Sequence, residues 1–164
     1  MKKLLLLAAI LLLASCSSYK VGRISHPQIK TVAIGKIGNT SDEPRAAFFL
    51  RDALRQQIML DGTLQLVDAD KADVIITGTI PSYNVRVVGS TTNEDRGQRE
   101  ESYRAYLYRA YLPFNYSITT RQNDFLVQKK TAKGYSDFNE LLDLEVQKRE
   151  AIRRAALQSA KLTI

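Results

Sequence analysis

Thiols, imidazoles and indoles are scarce in this chain: its 164 residues hold one cysteine, one histidine and no tryptophan. The lone thiol, Cys16, excludes an intrachain disulfide. The lone imidazole, His26, has no second histidine or thiol to complete a zinc site or a nucleophile–base pair, so no metal site and no catalytic residue is expected and the chain reads as a non-enzyme. No apolar run approaches the ~20 residues that a helix needs to cross a bilayer. Repeats with a period of ~20–50 residues are also missing, which excludes a solenoid. The acidic cluster Asp68, Asp70 and Asp73 lacks the glycine and the final glutamate of a calcium-binding loop and reads as a solvated turn. Gly35-Lys36-Ile37-Gly38 falls short of both phosphate-loop and dinucleotide fingerprints, so its glycines are assigned to turn geometry.

What is present begins at the amino end. Lys2 and Lys3 precede an unbroken apolar stretch over residues 4–13, and the small Ala14 and Ser15 come before Cys16. That is the layout of a secretory signal. The segment Leu13-Ala14-Ser15-Cys16 further resembles the bacterial lipobox, in which the cysteine sulfur takes a diacylglyceryl group. Cleavage between Ser15 and Cys16 then frees an amine that is N-acylated, with palmitate among the expected chains. One acyl chain holds a protein to a membrane only marginally, at ~0.8 kcal/mol per buried methylene, whereas two or more anchor it stably. The alternative is a free thiol that happens to follow a signal peptide. Ser17, in place of an aspartate after the modified cysteine, points to the outer membrane under the enteric sorting rule, with the domain on the periplasmic side. The expected organisation is a cleaved signal at 1–15, a lipidated tether at 16–28 and one globular domain at 29–164.

Loss of Lys2 and Lys3 with the signal lowers the net charge from +7 to +5. A basic excess raises a nucleic-acid hypothesis. Export argues against it, and no nucleic-acid partner is expected. The polyanions of the envelope are phospholipid head groups and the phosphorylated sugars of lipopolysaccharide. A plain solubility charge is the competing reading.

Residues 30–37, KTVAIGKI, alternate and are rich in β-branched side chains, which predicts a strand. Thr40 and Glu43 have capping-box spacing. Apolar positions at three- and four-residue intervals then predict a helix over 46–60, ended by Gly62. A short strand at 64–67 and a strong one at 74–80 follow. Pro81 marks a bulge or an edge, and Tyr83, Val85 and Val87 continue the alternation. Residues 89–102 carry no large apolar side chain and read as an exposed loop.

Residues 103–118 fit both a helical stripe and a strand face. The two-residue period lasts longer and Pro113 would break a helix, so a strand is expected. It should form a hairpin with residues 125–135 across the turn at 121–124. The tyrosines of this segment, interleaved with Arg104 and Arg109, either meet a partner protein or lipid or cover the core beneath the helices. Asp137 and Glu140 repeat the capping-box spacing before a final helix whose second half is small enough to lie close on a sheet. The expected fold is an α/β (α+β) sandwich, with two helices on one face of a mostly four-stranded mixed sheet in the order β-α-β-β-β-β-α.

Three stretches taken together, residues 31–39, residues 43–83 and the basic helix REAIRRAALQSAKLTI at 149–164, resemble the LptE-like lipopolysaccharide-assembly lipoproteins. The most specific part is the run from Ala53 to Tyr83. The resemblance implies two helices on a four-stranded sheet and a non-enzymatic role: a lipid-anchored protein seated in the barrel of LptD, plugging its lumen and contacting lipopolysaccharide. On that basis Arg86, Arg104, Arg109, Lys129, Lys130 and Lys133, the basic side chains near the strands, form the candidate lipopolysaccharide-contact set. A solvated basic face is the alternative for each. Another periplasmic lipoprotein, such as a cell-wall synthase activator, is the competing assignment, although such proteins usually carry a longer tether.

Overall fold

The computed structural model describes residues 29–93, 102–122, 124–139 and 143–164, and for 91–93, 102–105 and 125 the backbone alone. The signal, the tether, Ser15, Cys16 and His26 lie outside the described residues.

The elements run β1 (Thr31–Asn39), α1 (Ala46–Asp61), β2 (Gln65–Leu66), β3 (Val74–Ile80), β4 (Asn84–Asn93), β5 (Ser102–Thr120), β6 (Phe125–Asn139) and α2 (Leu144–Thr163). They make one mixed sheet with β1 parallel to both β2 and β3, and every other pairing antiparallel. The sheet has six strands, not roughly four, because the alternation after Pro81 is a strand of its own and the two-residue β2 pairs with β1.

β5 is the spine. Along one edge its residues 102–111 pair with β4 and its residues 115–120 with β3, while the other edge pairs with β6. Pro113 has no N–H to donate. It sits between the last β4 pair, Tyr111–Asn84, and the first β3 pair, Asn115–Thr79, where that edge changes partner.

Alternation then decides what is buried. Ala110, Leu112, Phe114 and Tyr116 of β5 point beneath the helices with Val74, Ile76 and Ile80 of β3, and they meet Leu50, Leu54 and Ile58 of α1 and Ile152, Ala155, Ala156 and Ala160 of α2. Both helices therefore cover one face.

α1 ends as its sequence predicts: Gly62 adopts φ 67°, the left-handed conformation that costs glycine little, and its N–H donates to the Ile58 carbonyl. At its start the expected Thr40–Glu43 box does not form. The Thr40 hydroxyl instead donates to the carbonyls of Ile80 and Pro81, and the Glu43 carboxylate accepts from the Arg45 N–H. The second predicted box fails too. Asp137 lies within β6, and α2 is capped by Asp143, whose carboxylate accepts the Glu145 N–H; Glu140 lies outside the described residues.

Part of the expected loop at 89–102 is strand. β4 runs to Asn93 and β5 starts at Ser102, because a two-stranded ribbon is held by cross-strand pairing and needs no apolar face. Residues 94–101 lie outside the described residues.

Asp73, one of the three suspected acids, is structural. Its carboxylate accepts the backbone N–H groups of Lys30 and Thr31 at 3.0 and 2.9 Å, and its own N–H donates to the Thr31 hydroxyl. Those bonds, the Lys30 N–H first, hold its carboxyl below the usual carboxylate value. The effect is to pin the start of β1 beside β3.

α2 lies so close to β6 that a serine enters the ladder. The buried Ser159 hydroxyl accepts the Gly134 N–H at 2.8 Å and donates to the Leu112 carbonyl at 2.5 Å, joining two strands that face each other at this register. Next to it, the Tyr135 N–H donates to the Gln158 side-chain carbonyl. Ser159→Ala leaves two buried backbone groups without this partner and is expected to cost about 1–3 kcal/mol. A urea titration with an unchanged midpoint would refute that.

Candidate functional site

The face of the sheet away from the helices is uncovered, and the odd positions of β5 build it. Arg109, Tyr111, Pro113 and Asn115 stand opposite Asp137, Tyr135, Lys133 and Thr131 of β6. β4 adds Asn84 beside Tyr111 and Arg86 beside Arg109, and β3 adds Thr79 beside Asn115.

One end of this face is a braced stack. The Arg109 guanidinium binds the Asp137 carboxylate through Nε at 2.5 Å and a terminal nitrogen at 2.8 Å, and lies 4.7 Å from the centre of the Tyr135 ring. Tyr135 is 6.3 Å from Tyr111, over which Arg86 sits at 5.8 Å. Hydrogen bonding to Asp137 raises the pKa of Arg109 further above its ordinary value, and the same bonds hold Asp137 below the usual carboxylate value. Arg109 is thus already neutralised by a fixed partner.

The sign of the shift on Asp137 makes the pair testable. A depressed carboxylate contributes its stability at neutral pH and loses it as the pH falls through the folded-state pKa, below about pH 4. Asp137→Asn should lower stability at pH 7 by at most about 1 kcal/mol, since the pair is partly exposed. Unfolding midpoints of the two chains should converge toward pH 2; a gap that does not close would assign the loss to something other than the charge.

Two hollows lie along the same face. One, of about 300 Å³, is lined by Asn84, Arg86, Tyr111, Pro113, Lys133 and Gly134. The other, of about 470 Å³, has Thr79, Asn115, Ser117, Lys129, Lys130 and Thr131 among its walls. Lys129 sits at a register shift with φ 44°, a left-handed conformation uncommon for a side-chain-bearing residue, and its N–H donates to the Ser117 hydroxyl. A third crevice, of about 280 Å³, opens between the helices around Tyr83. Burial, reinforced by the carboxylates of Glu43 and Glu145, pushes the Tyr83 phenol up to about 12. Among the described residues, no group of three or more His, Cys, Asp and Glu side chains is placed to hold a metal, and no helix is long and apolar enough to cross a membrane.

The LptE family model, described as lipopolysaccharide-assembly, matches residues 29–162. The chain belongs to this family. No curated relative matches it. Among solved structures, a minor lipoprotein from Acinetobacter baumannii is similar at 11% identity over 82% of this chain and 89% of that one, with a TM-score of 0.50. Lipoprotein B from Nitrosomonas europaea shows 14% identity over 82% of each chain at a TM-score of 0.49. Protein XCC0632 from Xanthomonas campestris shows 13% identity over 86% of each at 0.49. At such identities the likeness concerns the fold alone.

Within this LptE-family fold, the six candidate basic residues separate. Arg86 and Lys133 share the first hollow, and Lys129 and Lys130 share the second. Arg109 is on the same face but is taken by Asp137. Arg104 is placed on β5 opposite Thr91 by its backbone, and its side chain lies outside the described residues.

The tyrosines divide by parity, and the core-covering reading holds for one set. Tyr116 is buried and Tyr108 stacks on Phe138 beneath the helices, whereas Tyr111 lies on the uncovered face. Sequence reasoning missed Asn84 and Tyr135 as members of the site and left Tyr111 unsorted among the tyrosines of its segment. The signal was available in the two-residue period, which sets Tyr111 beside Arg109 on the side opposite Leu112 and Phe114.

Proposed function

We propose that this LptE-family chain is a lipid-anchored outer-membrane lipoprotein that seats in an LptD-like barrel, fills its lumen and contacts lipopolysaccharide through the uncovered face of its sheet. The observation that carries the reading is the charge on that face. Within strands β3 to β6 Asp137 is the one carboxylate, and Arg109 binds it, so Arg86 and Lys133, with Lys129 at the register shift, stand along that face without a facing acid.

Phosphate attracts such a row, arginine through its planar fork and lysine as a point charge. A porin-like lumen is polar, which suits a plug with a hydrophilic surface. The role is binding and assembly, without turnover of a substrate.

Extraction in mild detergent should bring down a large outer-membrane barrel with this protein; its clean absence would count against the reading. For the ligand, Lys129→Glu combined with Lys130→Glu is expected to weaken lipopolysaccharide binding about tenfold or more at low salt. The loss should shrink as ionic strength rises and screening removes the attraction. Binding equal to that of the parent chain at low salt would remove both lysines from the contact set.

A further inference from the structure

Resting on the anchoring part of that reading, we infer that the tethered end of the domain is a lipid-docking surface: in the chain not yet bound to its barrel, Met59, Leu60 and Leu162 enter the head-group region of the bilayer that holds the anchor. The strand register gathers this end. Gln65 pairs with Thr31, Val74 with Val32 and Thr120, and Phe125 with Thr119, so the starts of β1, β3 and β6, the end of β5 and the short β2 lie together. Ile29, where the tether joins, packs against the core here.

Both helices finish at the same end. They start side by side, since Arg45 and Phe49 share a crevice with Glu145 and Arg149. α1 closes at Gly62, just before β2. α2 passes from Phe138, with which Ala151 clusters, to Gly134, which Ser159 holds, and so ends toward the start of β6. The last turns leave apolar side chains in water: Met59, Leu60 and Leu162 are 65, 77 and 53% exposed, and Leu66 of β2 and Leu126 of β6 are exposed at the same end.

A cluster of exposed apolar side chains marks a surface that meets a partner. Phe48 and Val146 are exposed too, at the starts of the helices; the tether decides between the two ends. Cys16 precedes Ile29 by thirteen residues, at most about 45 Å of chain at ~3.3–3.6 Å per residue, so the anchor holds the Ile29 end toward the lipid. The attraction is apolar and not electrostatic, because Lys30, Lys71, Arg121 and Lys161 at this end are offset by the aspartates of residues 61–73 and by Asp124. Met59, Leu60 and Leu162 belong to the helices, on the side of the sheet opposite the face assigned to lipopolysaccharide. Docking through them turns the far ends of β4 and β5, at Asn93 and Ser102, away from the bilayer.

The full mature, lipidated chain is reconstituted without other proteins into phosphatidylcholine vesicles. With the Cys16 sulfur occupied by lipid, a cysteine introduced elsewhere is the one that takes a nitroxide label. Leu60→Cys and Leu162→Cys report on the tethered end, Phe48→Cys and Val146→Cys on the other. The labels at 60 and 162 are expected to collide at least about threefold less with a water-soluble nickel complex, and more with oxygen, than those at 48 and 146, as burial at the head-group boundary requires. High salt should leave the difference intact, since screening acts on charges. Met59→Ser with Leu60→Ser should return the label at 162 to water, with thermal unfolding unchanged because both side chains are exposed.

Equal nickel access at the two ends, a difference that salt abolishes, or a label at 162 unmoved by the double serine variant would each overturn the inference. So would labels that are wetted on vesicles and shielded only once the barrel is added, an outcome that assigns this end to a protein partner. Intact mass separates the failures. With lipid on Cys16 and wetted labels, the docking falls and the anchor stands; without lipid on Cys16, the anchor falls and the docking with it.

Discussion

Gly134→Ala should unfold this protein more readily than any surface change, with a loss of about 3 kcal/mol or more, the upper end of the penalty for forcing an extra methyl group into a packed interior. A methyl carbon at this position would lie 2.1 Å from the Ala155 carbonyl oxygen and 2.6 Å from the Ser159 nitrogen, both backbone atoms of α2 that no rotamer change can move. The helix must lift off β6. Lifting it breaks the hydrogen bonds that Ser159 makes to Gly134 and Leu112 and opens the core at Ile152, Ala155 and Ala156.

At ~2–4 °C per kcal/mol for a domain of this size, the thermal midpoint should drop by roughly 6–12 °C. A variant melting with the parent would show that α2 does not depend on this contact. Ser159→Ala is the milder companion, since it leaves the helix seated and removes only the bridging hydroxyl.

The second large effect concerns location. Cys16→Ser is expected to leave the domain folded while abolishing lipid attachment, so that the chain keeps its signal and stays at the inner membrane. The basis is chemical: a thioether to diacylglycerol needs sulfur, and without it neither cleavage before residue 16 nor acylation of the freed amine follows. Intact-mass measurement and membrane fractionation read the result directly. Normal outer-membrane fractionation of the serine variant would refute the anchor.

Much of the fold was legible because its signals are local. The α1 stripe and its closing Gly62 identify the helix to within one residue of its observed end, and the β-branched run at Val74–Ile80 matches β3 at both ends. The failures share a cause. Thr40 and Asp137 both have side chains suited to capping a helix, but tertiary partners claim them: the carbonyls of Ile80 and Pro81 in one case, Arg109 in the other. Spacing along the chain carries no record of those partners. Residues 89–93 were misread for a related reason, since a ribbon strand needs pairing with β5 and not burial.

The site was half legible. Nearness to strands was enough to nominate basic residues, but separating Arg86 and Lys133 from Arg109 required the register that sets Asp137 opposite one and not the others.

The position of β1 carries a mechanical consequence. Under the proposed anchoring, any tug from the membrane travels through residues 16–28 and enters the domain at the first strand. That strand lies parallel between β2 and β3, with the Asp73 clamp at its leading end. A load along its axis shears the ladder bonds together and does not peel them singly, so the moored end of the molecule is built to resist being pulled.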